Sequence, residues 1–456
     1  MQGSELGPVR LDVTDSKSSV DALSDAKKTN GVIAEVSRNA RRSSVGIIFW
    51  VGGRFLAMLT VAAALDLESF GLFAVTTSLV MAVERTFNAQ SWQLVSRFSA
   101  GTDGNVSEGR LASVFRTAVA YDLFGAAITI TTVLVFARNF ADALGISAVG
   151  ISTIIAFSLI SLCNSQGAMT GVLRATDQFW KYAAYQIVLG SGLLIAMLAA
   201  WLIAGVQDAS TYLFIWLAVE ASCFLLLGGF ALVTIIRRHA DARMDTSATR
   251  LGFAATWRFT GATLINSSLR MITKEWDVVL LSSVTGVTSA GAYKLGKQIA
   301  TLPLLLTDQF YFAVFPKIAQ LWSAGATNVV RSLIRKVSAW SFGGAALMLV
   351  GSFVVIALLR NIERLTEYAL VLDFIQYCLP SVLVAFATFV FAPALTASGH
   401  HAWQTFSLLI ASIFFFLSFF IAESFDLVAA MPIALFVYYF AWASAAATRL
   451  RQIGGL

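Results

Sequence analysis

The sequence predicts an all-α integral membrane protein of about twelve transmembrane helices in two six-helix lobes, and three observations carry that prediction. Of its 456 residues, 57% are apolar and 13% charged, whereas a soluble domain carries about 25% charged residues. The apolar residues come as repeated continuous runs of about 20, the length that crosses about 30 Å of hydrocarbon at 1.5 Å per residue. Basic residues crowd into alternate connections, as a fixed membrane orientation requires. Because the runs are continuous rather than alternating in and out, a transmembrane β-barrel is excluded.

In chain order, residues 1–43 are polar and charged, with neither an apolar core nor a small-residue cleavage site, and read as a cytoplasmic tail rather than a signal peptide. The tail begins with a Lys, Asp and Ser mixture of disordered composition. Within "GVIAEVSRNARRSS", Val32, Ile33, Val36 and Ala40 recur at helical intervals beside Arg38, Arg41 and Arg42. That pattern suits a short helix on an anionic leaflet, with plain linker as the alternative. Spans 1 to 6 follow at 44–65, 70–90, 117–137, 149–172, 182–204 and 211–236, making an N-lobe over 44–236. The stretch 237–253, "RRHADARMDTSATRLGF", is the longest polar break and the expected cytoplasmic linker. Spans 7 to 12 lie at 257–283, 291–313, 337–359, 374–397, 403–422 and 427–447, within a C-lobe over 254–447, and 448–456 is the C-terminal segment. Pro303, Pro380, Pro393 and Pro432 mark expected interruptions in spans 8, 10 and 12.

Orientation follows from the connections. One set holds Arg97, Arg110, Arg174, Lys181, Arg237 and Arg238 among many others, and the other only Arg138, Arg360 and Arg364. The basic set is expected inside, which puts both termini in the cytoplasm. The same bias accounts for the net charge of +6 without a nucleic-acid partner. Cys163, Cys223 and Cys378 lie in apolar runs with no metal spacing, so they read as small buried hydrophobes, and neither a disulfide framework, a metal site nor a cofactor is implied. His400 and His401 read as a solvated pair in a turn.

The two halves repeat. "ESFGLFAVTTSL" follows the first span and "TSAGAYKLGKQI" the seventh, so Ser-x-Gly-x-aromatic opens the second helix of each half, with Gly71 and Gly291 220 positions apart (291 − 71). "GVLRATDQF" ends span 4 and "APALTASGH" ends span 10, where Leu173 and Leu395 are 222 apart (395 − 173). Six spans per half give the halves one orientation, hence a parallel repeat about an axis near the membrane normal, a design that places substrate between the lobes.

"FGLFAVTTSLV", "GVLRATDQF" and "GVTSAGAYKLGKQIATLPLLLTDQFYFAVFPKIAQLW" resemble the polysaccharide-transport branch of the multidrug/oligosaccharidyl-lipid/polysaccharide exporter superfamily, the O-antigen and exopolysaccharide lipid flippases. The resemblance runs from about residue 44 to near the C-terminus and is most specific around spans 7 and 8. It implies a V-shaped exporter fold in the bacterial cytoplasmic membrane that opens alternately to either side. The implied cargo is an undecaprenyl-diphosphate-linked oligosaccharide, with membrane lipids and the polymerase and export proteins of the same pathway as candidate partners. The implied role is transport, not enzyme chemistry.

The candidate site rests on charges inside the spans. In "LRMITKEWDVVLL", Arg270, Lys274 and Asp277 stand at i, i+4 and i+7, which puts them on one helical face with Asn266 a turn earlier and Glu275 to the side. Span 8 carries Lys294, Lys297, Gln298, Thr301 and Asp308, and span 1 carries Arg54 in "WVGGRFLAML". Arg54, Arg270, Lys274, Lys294 and Lys297 are the expected diphosphate-binding residues of a central cavity, since guanidinium and ammonium groups suit phosphate oxygens. Glu84, Glu220 and Asp308 are candidate carboxylates for coupling transport to protons or sodium. The alternative for the whole set is interhelical pairing, because the bases Arg54, Arg85, Arg270, Lys274, Lys294 and Lys297 are balanced by Glu84, Asp122, Glu220, Glu275, Asp277 and Asp308. Lys274 and Asp277 are themselves i, i+3 neighbours that can pair.

Three rivals remain at this level. A cationic-drug antiporter of the same superfamily predicts an acidic, aromatic cavity, whereas both signs of charge occur here. A membrane polymerase or glycosyltransferase needs an outer loop bearing its chemistry, and the connections near 138–148 and 360–373 are short. A major-facilitator transporter is disfavoured because "VSRFSAGTDGNVSEGR" lacks that family's Gly-x-x-x-Asp-Arg-x-Gly-Arg-Arg pattern.

Overall fold

The computed structural model describes residues 45–99, 108–145, 148–241, 253–304, 307, 318, 321–322, 327–361, 368–425 and 428–454. Among them there is no β-strand. Ten helices among the described residues are long and apolar enough to cross a membrane: α1 (Val45–Ala64), α2 (Leu67–Phe98), α3 (Arg110–Leu144), α4 (Gly150–Ala175), α5 (Phe179–Leu202), α6 (Ala209–Arg237), α9 (Thr327–Leu359), α10 (Ala369–Ala397), α11 (Ala402–Glu423) and α12 (Ala430–Gln452). Between α6 and α9 lie α7, which runs from Phe253–Met271 through Ile272–Trp276 into Asp277–Thr285, and α8 (Val287–Ala300). The protein is a multi-pass, all-helical membrane protein. Among the described residues α7 and α8 fall outside the ten, and they occupy the stretch that carries the four charges of 270–277 together with Lys294 and Lys297.

The helices start and stop where local chemistry dictates. Asp66 caps α2 by accepting from the Ser69 backbone N–H at 2.7 Å, and Asp208 caps α6 through Thr211 at 2.9 Å. Gly286, at φ 84°, makes the turn from α7 to α8. α2 starts at Leu67 and α8 at Val287, again 220 positions apart (287 − 67). Several ends depart from the sequence expectation. α6 continues helically to Asp241 into the expected linker, α12 to Gln452 into the expected C-terminal segment, and α3 and α9 begin well before 117 and 337.

Besides α7, with its turn at Ile272–Trp276, three of the described helices are interrupted internally. α2 stops at Phe87 and resumes at Ser91, with Gln90 in the left-handed region at φ 47°. α4 tightens to a 3₁₀ turn over Leu159–Ser165, and α10 breaks at Phe389 and Val390. The expected proline interruptions are only partly found. Pro380 stands inside an unbroken helix and Pro432 in the first turn of α12, where its missing N–H costs no hydrogen bond. Pro303 follows the end of α8, and Pro393 lies in the segment after the α10 break.

The lobes meet along α2. A Cβ added at Gly71 would stand 2.3 Å from the Val287 carbonyl oxygen, and one at Gly291 would stand 2.6 Å from Gly71 Cα. The two glycines of the repeat therefore touch each other, and the α2 and α8 backbones approach as closely as small residues in a membrane allow. Tyr368 donates to the Ala62 carbonyl oxygen at 3.3 Å near the same end. Towards the other end α2 lies on α7: Ser268 donates to the Thr86 carbonyl at 3.0 Å, and the Phe98 and Phe259 rings meet edge-on at 5.7 Å. One buried apolar core crosses the seam, from Phe73 and Leu79 of α2 to Tyr293 of α8 and Phe374 of α10. The cysteines at 163, 223 and 378 are free and buried, as expected of small core residues.

Candidate functional site

The charges of the membrane region form four separate groups rather than one stripe. In the N-lobe, Arg54 of α1 forms an ion pair with Glu220 of α6. Its guanidinium stands 5.2 Å from the Trp50 ring centre and 5.5 Å from that of Trp216, and Trp216 Nε1 donates to Glu220 Oε1 at 3.3 Å. α1 presents Arg54 here because it lies tightly on α5, where a Cβ at Gly53 would be 2.3 Å from the Gly190 carbonyl oxygen. Among the described residues Arg54 Nε and Glu220 Oε2 are buried without a hydrogen-bond partner.

The second group lies just before the α2 break. Glu84 is buried and accepts from Asn88 Nδ2 at 2.7 Å, while Arg85 Nε lies 3.0 Å from Glu84 Oε2. The 100° between adjacent helix positions does separate the two side chains, one buried and the other 46% exposed, yet the Arg85 stem reaches back to its neighbour. Across the break, Asp122 of α3 accepts from Ser91 and from the Ala168 N–H of α4, tying three helices together.

The third group joins the lobes. Lys294 Nζ donates to Ser78 Oγ at 2.7 Å, Thr77 Oγ1 at 3.0 Å and the Ala74 carbonyl at 3.3 Å, all on α2, and pairs with Glu275 of α7 at 3.4 Å. Arg54 lies within electrostatic range of Arg85 and Glu275.

The fourth is buried inside the C-lobe. Asp277, fully buried, receives Lys297 Nζ at 2.8 and 2.6 Å on its two oxygens and Tyr293 Oη at 2.6 Å. The sequence expectation that Asp277 shares a face with Arg270 and Lys274, or pairs with Lys274, is incorrect, and the cause is the π turn at Ile272–Trp276. Its wider winding rotates the following residues out of α-helical register, so Arg270 and Lys274 stay exposed while Asp277 turns into the lobe. Lys297 also donates to the Lys274 carbonyl at 3.0 Å and the Thr273 carbonyl at 3.4 Å, inside the π turn. One ammonium thus neutralises the acid and satisfies backbone oxygens of the irregular turn.

Of the five expected phosphate ligands, Arg54, Lys294 and Lys297 are held by acids, whereas Arg270 and Lys274 present exposed side chains. Of the candidate coupling carboxylates, Glu84 and Glu220 are buried and Asp308 lies outside the described residues. Asn266, placed on the same stripe, accepts from Thr405 of α11 at 3.0 Å. Sequence reasoning missed Trp50, Trp216 and Tyr293. The signal for the tryptophans was present, since Trp50 and Arg54, like Trp216 and Glu220, stand at i, i+4.

No family model matches the chain, and no curated protein matches it. Solved structures do. An inward-facing multidrug-resistance MATE family transporter of the MOP superfamily superposes with a TM-score of 0.67 at 10% identity, over 91% of this chain and 94% of its own. A MOP superfamily transporter from Pyrococcus furiosus, whose reverse polarity of binding pocket is said to suggest a different function, gives 0.64 at 11% identity, over 92% and 95%. The Vibrio cholerae MATE transporter VcmN, as a mutant, gives 0.63 at 12% identity, over 93% and 98%. The chain therefore has the fold of the MATE transporters of the MOP superfamily.

Proposed function

We propose that this chain is a MOP-superfamily transporter that moves an undecaprenyl-diphosphate-linked oligosaccharide across the bacterial cytoplasmic membrane by alternating access. The observation that carries the reading is the exposure of Arg270 and Lys274, one turn apart on α7. A basic side chain at the bilayer centre costs about 2.5–3.5 kcal/mol on insertion scales, so two on one face favour water or an anionic cargo over acyl chains. Arg85, 46% exposed but paired with Glu84, adds a partly neutralised third cation. In this reading the polyprenyl tail stays in lipid, while the diphosphate and sugars cross between the lobes, where polar groups replace their water. Lys294, tied to α2, is then a latch that opens as the lobes part.

The second reading, a drug antiporter of the same superfamily, draws on the acidic, aromatic setting of Glu220, Trp50 and Trp216. Arg54 already fills that setting as its cation, which disfavours an organic cation there. The test is complementation of a bacterial strain lacking its single lipid-linked-oligosaccharide flippase. Wild type restores surface glycan, and Arg270→Ala and Lys274→Ala reduce it at least tenfold at equal abundance. Full export by both variants overturns the phosphate-binding role, and failure of the wild type together with acquired drug resistance favours the antiporter.

A further inference from the structure

A second place on the molecule has the chemistry of a binding site, on the outer surface of the N-lobe between α5 and α6. A groove of about 560 Å³ there has Lys181 and Arg237 at its rim. Both stand at the same membrane face by topology, Lys181 near the start of α5 and Arg237 at the end of α6, which the distribution of basic residues makes the cytoplasmic one. Among the described residues neither forms an ion pair. Lys181 Nζ rests 3.4 Å from Thr234 Oγ1, a contact with a neutral hydroxyl that positions the ammonium. Below the two cations the walls are apolar, with Leu225 72% and Leu226 39% exposed beside Phe230. Gly229 leaves the groove open. A Cβ there would meet nothing within 4 Å, so protein packing does not require the glycine.

The dimensions match one leaflet. From Leu225 to Arg237 the helix rises about 18 Å at 1.5 Å per residue, close to half of a hydrocarbon core of about 30 Å. We propose that this groove binds an anionic phospholipid of the cytoplasmic leaflet, its phosphate between Lys181 and Arg237 and an acyl chain lying over Gly229 towards the mid-plane. Basic rims between transmembrane helices on the cytoplasmic side suit anionic headgroups, and two cations that form no ion pair among the described residues, above an apolar channel, favour a charged lipid over a zwitterionic one.

The test is native mass spectrometry of the full-length protein released from micelles containing equimolar phosphatidylglycerol and phosphatidylcholine. Each cation contributes about fivefold to anionic-lipid affinity. Wild type is expected to retain phosphatidylglycerol selectively, and Lys181→Ala with Arg237→Ala to lose that selectivity by about 25-fold while staying folded. Gly229→Trp, which fills the groove, lowers retention of both lipids. Should that variant fail to fold, the double alanine variant decides the matter alone. Unchanged phosphatidylglycerol retention in the double variant overturns the proposal. So does displacement of the lipid by millimolar inorganic phosphate, which would mark a phosphate site without lipid character.

Discussion

Two groups of charges only a few residues apart on α7 have opposite fates. Asp277 is sealed inside the C-lobe, saturated by Lys297 and Tyr293, whereas Arg270 and Lys274 remain exposed. Ionisable residues of one helix therefore sit in two environments. The buried set holds an irregular turn together, and the exposed set is the one proposed to meet the cargo. The π turn between them makes the division, since an unbroken α-helix would have kept all three on one stripe.

The largest loss of stability is expected at Lys297. Lys297→Met strands a buried carboxylate, and breaking such a pair from one side costs about 3–5 kcal/mol. Thermal unfolding in detergent should show that loss, and Asp277→Leu combined with Lys297→Met should recover most of it. A double variant as unstable as the single one would mean that the cluster does more than neutralise one acid. Gly291→Leu comes next, because it drives a side chain into the Gly71 backbone. Overpacking of that kind costs about 1–3 kcal/mol, and the lobes should separate at α2 and α8, detected as a longer distance between spin labels across the seam. An unchanged distance would remove the seam from the account. The smallest effect on stability is expected at Arg270→Ala and Lys274→Ala, each within about 0.5 kcal/mol as exposed positions, even though export falls at least tenfold. Comparable losses of stability at 270 and 297 would erase the distinction between the two groups.

Much of the fold was legible in the sequence because hydrocarbon thickness imposes a simple period on it. The spans at 182–204 and 211–236 fall on α5 and α6 to within a few residues. The long extensions of α3 and α9 were not legible, because hydropathy detects the lipid-embedded part of a helix and not its polar continuation. The repeat of Gly71 and Gly291 points to two lobes, and in the structure the equivalent glycines touch. At the site, the charged residues were found but their partners were not. A single residue of extra winding at Ile272–Trp276 has no compositional signature, and it alone moves Asp277 from the Lys274 side to Lys297. The turn at Asn88–Gln90 was equally silent, since Gln90 adopts its left-handed conformation without a glycine to announce it.

In the proposed transporter the Arg270 and Lys274 face of α7 meets water while the following turn is dry. Cysteine accessibility tests it directly: the native cysteines are replaced, and Arg270→Cys, Lys274→Cys and, as the buried reference, Val278→Cys, at a position 0% exposed, are treated with a membrane-impermeant thiosulfonate. Labelling at 270 and 274, slowed by a lipid-linked diphosphate, with none at 278, is the predicted result. Absence of labelling at 270 and 274 in inverted and right-side-out vesicles alike would place these cations against lipid or protein and contradict the account.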